Sequence, residues 1–346
     1  MRDTKETLMY ILKRVLLMIV TFLIIFVICF ILIRLLPFSA PGGAGSDISK
    51  YYEMQVALGR MYLGDDGEYY SVPVLQQLWA FLKNLISPSS FEVDGHIEYV
   101  SRWGYSWKLS KLSTPIELLG SRMAPTILIN VYSMIIAVPL GLALGTYMAL
   151  KKNKWQDNVL GILVMLLISV PSFVYSFLIQ YVFAFKLKWL PAVRADFDGS
   201  WFSGKMFVSM ILPVIAMSLG SIAGYARYTR AELTEVLTSD FMLLARTKGL
   251  TRGQATVRHA FRNSLVPIFP MLLGEILSVL SGSMIIESIF SINGVGSLFL
   301  DSITQKDYDV FQFVGMFYIL IGLIGGLLVD ISYGLVDPRI RMGGRK

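Results

Sequence analysis

"LARTKGLTRGQATVRHAFRNS", Leu244 to Ser264, is the stretch whose reading decides how this chain folds. It holds five basic residues, Arg246, Lys248, Arg252, Arg258 and Arg262, and no acidic one. Apolar runs lie on both sides of it. Its local signals spell helix, turn, helix. Upstream, "AELTEVLTSD" continues an apolar run as a polar helix, and Asp240 is expected to cap the helix that follows. Phe241, Leu244 and Ala245 then fall on one face at helical spacing. Gly249 follows Lys248 where a helix C-terminus is expected. Thr251 and Gln254 form a capping box, opening a helix through "QATVRHAFRN" toward Pro267. A short helix with an apolar stripe must bury it on lipid, on its own chain or on another protein.

The composition around this stretch is that of a membrane protein. Of 346 residues, 55% are hydrophobic and 16% charged, with a mean hydropathy of +0.61. A soluble domain carries about 25% charged residues. The net charge of +7 would suit nucleic acid only on a soluble basic face, so it is read here as membrane topology, with no nucleic-acid partner. The single cysteine, Cys29, excludes a disulfide within the chain and reads as a small lipid- or helix-facing side chain.

A bilayer core of roughly 30 Å needs about 20 apolar residues in a helix. Six runs qualify: Val15–Ile33, Thr126–Leu150, Val159–Phe185, Met206–Tyr225, Leu265–Phe290 and Val310–Leu335. The first has an apolar core longer than a signal-peptide core of about 7–15 residues, so it is read as a retained span. Alternating the spans sorts the remaining segments into two sets. The N-terminus, 151–158, 226–264 and the C-terminal tail hold 18 Lys and Arg against 7 Asp and Glu, a net of +11. Segments 34–125, 186–205 and 291–309 hold 13 against 14, a net of −1. The positive-inside rule therefore places both termini and the opening stretch in the cytoplasm.

The expected organisation is a cytoplasmic N-terminus and first span at 1–33 and an outer loop subdomain at 34–125. A core of spans two to six follows at 126–335, with the cytoplasmic segment 226–264, and then a tail at 336–346. In the outer loop, "SVPVLQQLWAFLKNLISP" reads as an amphipathic helix with Leu75, Leu78, Leu82 and Leu85 at helical spacing. "STPIELLG" carries a capping box, Thr114 with Glu117, and reads as a short surface helix leading into the second span. Trp79, Trp103 and Trp107 read as interfacial anchors or partner contacts. Gly141 with Gly145 and Gly220 with Gly224 have close-packing spacing. Pro139, Pro171 and Pro213 fall inside spans and predict kinks. Glu275, Glu287 and Asp330 are intramembrane or interfacial carboxylates. Each serves a substrate cavity, an inter-subunit contact or a satisfied structural hydrogen bond.

The opening stretch resembles the coupling loop of ABC-importer permeases, in its oligopeptide/dipeptide permease form "ARxKGL…RHAxRN…P". Ala245, Arg246, Lys248, Gly249, Leu250, Arg258, His259, Ala260, Arg262, Asn263 and Pro267 match that form. Of the general Glu-Ala-Ala version only Ala245 and Gly249 fit. "ESIFSINGVGSLFLDSITQKDYDVFQ" and "LLVDISYGLVDPRIR" resemble the same family, in the same order, and the subtype resembled is the first permease of the pair, the one with a long loop after its first span, although that loop is the least similar part. The resemblance implies an all-α membrane protein of six transmembrane helices with the type I importer permease fold. It also implies a second permease subunit, two ABC ATPase subunits, an extracytoplasmic binding protein and a peptide substrate. Coupling would run through Asp240, Phe241, Leu244, Ala245, Arg246, Lys248, Gly249, Leu250, Arg258 and His259. No Walker phosphate loop occurs, so ATP and magnesium belong on the partner ATPases, with no cofactor, metal or catalytic residue on this chain. Glu275 is the expected contact for a peptide's ammonium, with Asn130, Ser281 and Ser283 completing the expected pathway. Nickel-chelate, glutathione or sugar-oligomer import on the same architecture is the nearest rival. An ion-coupled secondary transporter is a more distant one, and would show inverted repeats and paired intramembrane charges.

Overall fold

The computed structural model describes residues 2–36, 46–87, 90–93, 96–99 and 101–336. The expected tail at 337–346, with its "DPRIR" motif, lies outside the described residues. The chain begins with α1 (Arg2–Arg34), α2 (Ser46–Ala57) and the hairpin β1 (Met61–Leu63) and β2 (Tyr69–Ser71). It continues with α3 (Val74–Ile86), the hairpin β3 (Ser90–Val93) and β4 (His96–Tyr99), and the long α4 (Pro115–Leu150). Next come α5 (Trp155–Ser169), α6 (Ser172–Gln180) and α7 (Gly204–Leu237). The remaining helices are α8 (Asp240–Thr247), α9 (Arg252–Ala255), α10 (Phe261–Ser264), α11 (Phe269–Ser278), α12 (Met284–Ile289), α13 (Val295–Thr304) and α14 (Tyr308–Val336). Both hairpins are antiparallel, with Met61 opposite Ser71 and Ser90 opposite Tyr99.

Among the described residues four helices are long and apolar enough to cross a membrane, and six spans result if each of two bent helix pairs is one span. The bent pairs correct two of the expected runs. Val159–Phe185 is not one straight helix, because α5 and the helix starting at Ser172 meet at 99°. Pro171 has no N–H to donate, and it forces Val170 into extended backbone (φ −80°, ψ 126°). Leu265–Phe290 is likewise broken. Gly253–Ser264 meets Phe269–Ser278 at 55°, and α11 stops at Ser278 before the separate α12. A helix of ten residues rises only about 15 Å, half the hydrocarbon thickness. Pro139 and Pro213 stay inside continuous helices, as does Pro125. The short surface helix expected from "STPIELLG" is in fact the first turns of α4. Its capping box forms as read: Thr114 N–H donates to Glu117 Oε2 (2.9 Å) and Glu117 N–H to Thr114 Oγ1 (3.3 Å).

The chain divides into two compact units. The first comprises Met1–Val15, Met123–Ser297 and Ile321–Lys346. Its core joins Ile129, Met210, Leu212, Phe290 and Ile292. Gly141 and Gly145 of α4 let that helix lie directly on α7. A Cβ on Gly141 would come within 2.5 Å of Tyr225 Cβ, and one on Gly145 within 2.5 Å of the Ala226 carbonyl oxygen. Gly220 and Gly224 meet no such close backbone. An ion pair missed in the sequence ties α5 to α7. Arg230 grips Asp157 through Nε (2.6 Å) and Nη2 (2.7 Å), and Asn153 N–H adds a third bond (3.0 Å).

The second unit comprises Leu16–Arg122 and Leu298–Leu320. Phe26 and Phe30 of α1, Phe81 of α3 and Met316 of α14 form its core. The amphipathic reading of α3 holds for Leu78, Leu82 and Leu85, which pack on that core, whereas Leu75 is exposed. Trp103 corrects the expectation of interfacial anchoring. It sits edge-on to Phe81 and Phe313, inside the unit, while Trp79 is exposed.

Candidate coupling segment and buried carboxylates

The segment after α7 folds by local rules. Ser239, not Asp240, is the N-cap residue of α8, and its hydroxyl donates backward to the Val236 carbonyl (2.6 Å) instead of accepting from the helix. Asp240 is displaced one position into the first turn, where a carboxylate still meets the positive end of the helix dipole. The helix closes on Gly249 at φ +90°. Gly249 N–H donates to Arg246 O (3.0 Å) and Leu250 N–H to Ala245 O (3.3 Å), the paired bonds of a Schellman motif. The second capping box forms too, with Thr251 N–H on Gln254 Oε1 (3.1 Å) and Gln254 N–H on Thr251 Oγ1 (3.3 Å). Beyond it, residues Thr256–Ala260 widen into a π turn before α10.

The apolar stripe of α8 is split. Met242 and Ala245 are buried and pack with Leu233, Ala149, Ala255 and Ala260. Phe241, Leu243 and Leu244 face outward, 41%, 63% and 55% exposed. The predicted face of Phe241, Leu244 and Ala245 therefore contains one anchor and two free residues. Met242, a residue the spacing argument passed over, is the main anchor, because i and i+3 put it beside Ala245. Leu250 packs on the same cluster, while Arg246, Lys248, Arg258 and His259 are exposed.

The three carboxylates have three different surroundings. Glu287 is fully buried in α12. Its carboxyl group accepts from Thr126 Oγ1 (2.9 Å) and from Ser297 N–H (2.9 Å). Thr126 Oγ1 in turn accepts from Val295 N–H (2.8 Å). Glycines wall this group in: a Cβ at Gly294 would stand 2.5 Å from the Glu287 carboxyl carbon, and a Cβ at Gly296 3.0 Å from Oε2. Gly282, at φ +67°, turns the chain into α12 beside the same carboxylate. Of the residues expected on a substrate pathway, Ser283 caps α12 by accepting from Ile286 N–H (3.3 Å). Asn130 is buried and donates to the Thr126 carbonyl (2.7 Å), and Ser281 donates its N–H to Ser278 O (2.9 Å). Glu275 is half-buried and accepts from Ser221 Oγ (3.0 Å). Asp330 pairs with Arg14 (3.0 Å), both partly exposed.

In the second unit, Asp309 and Asp307 organise the start of α14. Asp309 faces Arg60 at 2.8 Å and Arg34 at 3.6 Å. Asp307 accepts from Ser106 Oγ (2.6 Å) and from the N–H groups of Lys108 (3.1 Å) and Leu109 (3.2 Å). Burial pushes the Asp307 carboxyl above the usual range despite those bonds. Burial, reinforced by Asp309, pushes the Tyr51 phenol up. Desolvation lowers Lys108. Among the described residues no group of three or more His, Cys, Asp or Glu side chains is arranged to hold a metal ion.

Long apolar helices, broken spans and a capped helix–glycine–helix segment define an integral membrane protein of the transport-permease class, mostly helical but with two small hairpins where the sequence suggested an all-α fold. Residues 141–342 match the family described as the binding-protein-dependent transport system inner membrane component, and the chain belongs to that family. It is 35% identical over 260 residues to the dipeptide transport system permease protein DppB of Bacillus subtilis (strain 168), covering 75% of this chain and 82% of that one. It is 32% identical over 333 residues to the glutathione transport system permease protein GsiC of Salmonella typhi, covering 96% and 98%. Among solved structures, an amino acid ABC transporter with histidines aligns with 63% of this chain and 94% of its own, at TM-score 0.49 and 18% identity. The resemblance to oligopeptide/dipeptide permeases read from the coupling loop is thereby borne out.

Proposed function

We propose that this chain is one permease of a heterodimeric pair in an ATP-driven importer of dipeptides or oligopeptides, with the type I arrangement of six spans. The observation that carries the coupling is the split face of α8: Met242 and Ala245 hold the helix to its own chain while Phe241, Leu243 and Leu244 present apolar surface. Each such side chain contributes about 1.5–3 kcal/mol when fully buried. Exposed ion pairs contribute only about 0–1 kcal/mol, so the apolar face dominates docking and the basic residues add little. A groove on an ATPase subunit is its occupant's site, and closure of two ATPases on ATP and magnesium drives the helix. The Schellman turn at Gly249 and the anchor at Met242 make the segment stiff enough to transmit that push. The charge bias of the two segment sets supports a cytoplasmic position for both termini. An extracytoplasmic binding protein delivers the substrate, and Glu275 contacts its ammonium.

The peptide reading follows the relatives named as dipeptide permeases, and glutathione is the second reading, favoured by relatives that align over 98% of their length. The coupling is tested by Leu244→Asp in the assembled complex. The expected result is loss of co-purifying ATPase subunits with the chain still membrane-inserted and monodisperse; full retention of the ATPases sinks the assignment. Uptake of labelled dialanine, competed with excess glutathione, separates the two substrates. No saturable uptake of labelled dialanine, beside saturable uptake of labelled glutathione that a tenfold excess of unlabelled dipeptide leaves untouched, overturns the peptide reading.

A further inference from the structure

Four cationic side chains and two carboxylates line one cavity of about 350 Å3 in the second unit. They are Arg34, Arg60, Lys108 and Lys306 against Asp307 and Asp309, a formal excess of two positive charges among the described residues. Both carboxylates are already engaged. Asp307 accepts from Ser106, Lys108 and Leu109. Asp309 accepts from Arg60 Nη1 (2.9 Å) and Tyr105 N–H (3.3 Å), and its other oxygen lies 2.8 Å from Arg60 Nη2. Arg34 is the less well paired of the two buried arginines. Its Nη2 stands 3.6 Å from Asp309 Oδ1, beyond a good hydrogen bond, and its Nε has no hydrogen-bond partner among the described residues. Its side chain is only 11% exposed, with the guanidinium over the Phe30 ring at 5.1 Å.

A buried charge with unfilled donors is costly, and a second oxyanion would fill what Asp309 leaves open. The planar fork of a guanidinium matches a carboxylate or a phosphate. Much of the rest of the wall is aromatic: Tyr51, Tyr69, Tyr105 and Trp107 line the same cavity, with Trp107 edge-on to Tyr51 at 5.1 Å. Apolar and aromatic walls around a few convergent charged groups are the pattern of a small-molecule site, and the volume lies at the lower end of the usual range.

We propose that this cavity binds an oxyanion, a carboxylate or phosphate carried on an apolar body, with Arg34 as its principal ligand. The cavity is lined by residues of the second unit and the proposal does not depend on the transported substrate. Two sources supply that chemistry: a soluble organic acid, or the phosphate of an anionic lipid.

The full-length chain in dodecyl maltoside, which carries no phosphate, is titrated with N-acetylphenylalanine and with its uncharged amide, following Trp fluorescence and calorimetric heat. Saturable binding of the acid, at least tenfold tighter than the amide, is the expected result. Arg34→Lys keeps the charge but loses the fork, and should weaken the acid at least tenfold while leaving the amide unchanged. Added phosphatidylglycerol that competes with the acid identifies lipid phosphate as the occupant; no competition identifies a soluble acid. Equal binding of acid and amide by the wild-type chain, or no saturable binding of the acid in detergent, overturns the proposal even if the Lys variant fails to fold.

Discussion

The turn at 282–297 and the segment at 240–264 are both irregular pieces of the first unit, yet opposite means hold them. The segment at 240–264 is closed by bonds between residues three to five apart: the Gly249 turn and the Thr251 box. The Glu287 turn is closed by a carboxyl group and a hydroxyl 161 residues away on α4. One is exposed and built from side chains that cap their own backbone. The other is buried, and glycines line the space that the carboxylate fills. Their contrast shows why exposed segments tolerate change locally while a buried polar network fails as a unit.

The contrast breaks first at Glu287. Glu287→Ala leaves the Thr126 hydroxyl and the Ser297 N–H without their acceptor, at about 1–3 kcal/mol each. Global thermal unfolding of the purified chain should drop by several degrees, with poor expression in membranes; an unchanged melting temperature would mean that the cage contributes nothing. Gly294→Ala comes next. Its methyl group must displace the carboxyl carbon it would meet at 2.5 Å, and overpacking of this kind costs about 1–3 kcal/mol. Glu287→Asp, which withdraws the carboxylate, should partly rescue it, and failure of that rescue would locate the strain elsewhere. Gly249→Ala has the smallest effect. No atom lies within 4 Å of the added methyl, so only the positive φ is penalised, at about 1–2 kcal/mol. It should raise trypsin cleavage after Lys248 while the global melting temperature stays within a degree. A global shift as large as that of Glu287→Ala would erase the distinction between the two regions.

The same contrast explains what could be read in advance. The capping boxes at Thr114 and Thr251 and the glycine stop at 249 depend on neighbours in sequence, and all three formed as read. Asp240 failed as a cap only by one position, because Ser239 competes for it and spends its hydroxyl on Val236. Met242 escaped notice because both flanks of α8 are apolar, and nothing local says which flank has a partner. The break at Pro171 was legible as a kink, but its 99° was not. The break after Ser278 carried a weaker signal, Gly282 with Ser283, inside an apolar run that hydropathy reads as continuous. Asp157 sat among the soluble residues of a short loop and turned out to lock α5 to α7.

By itself the sequence determined the class of this protein: apolar length marks helices long enough to span a bilayer, and local grammar shapes the segment at 240–264. Only the tertiary structure decided which carboxylate is a structural pin. Glu287 and Glu275 are the same residue in similar apolar surroundings. One is sealed by Thr126, Ser297 and three glycines, and the other is half-exposed beside a single serine. That difference comes from partners distant in the chain, and periodicity carries no record of them.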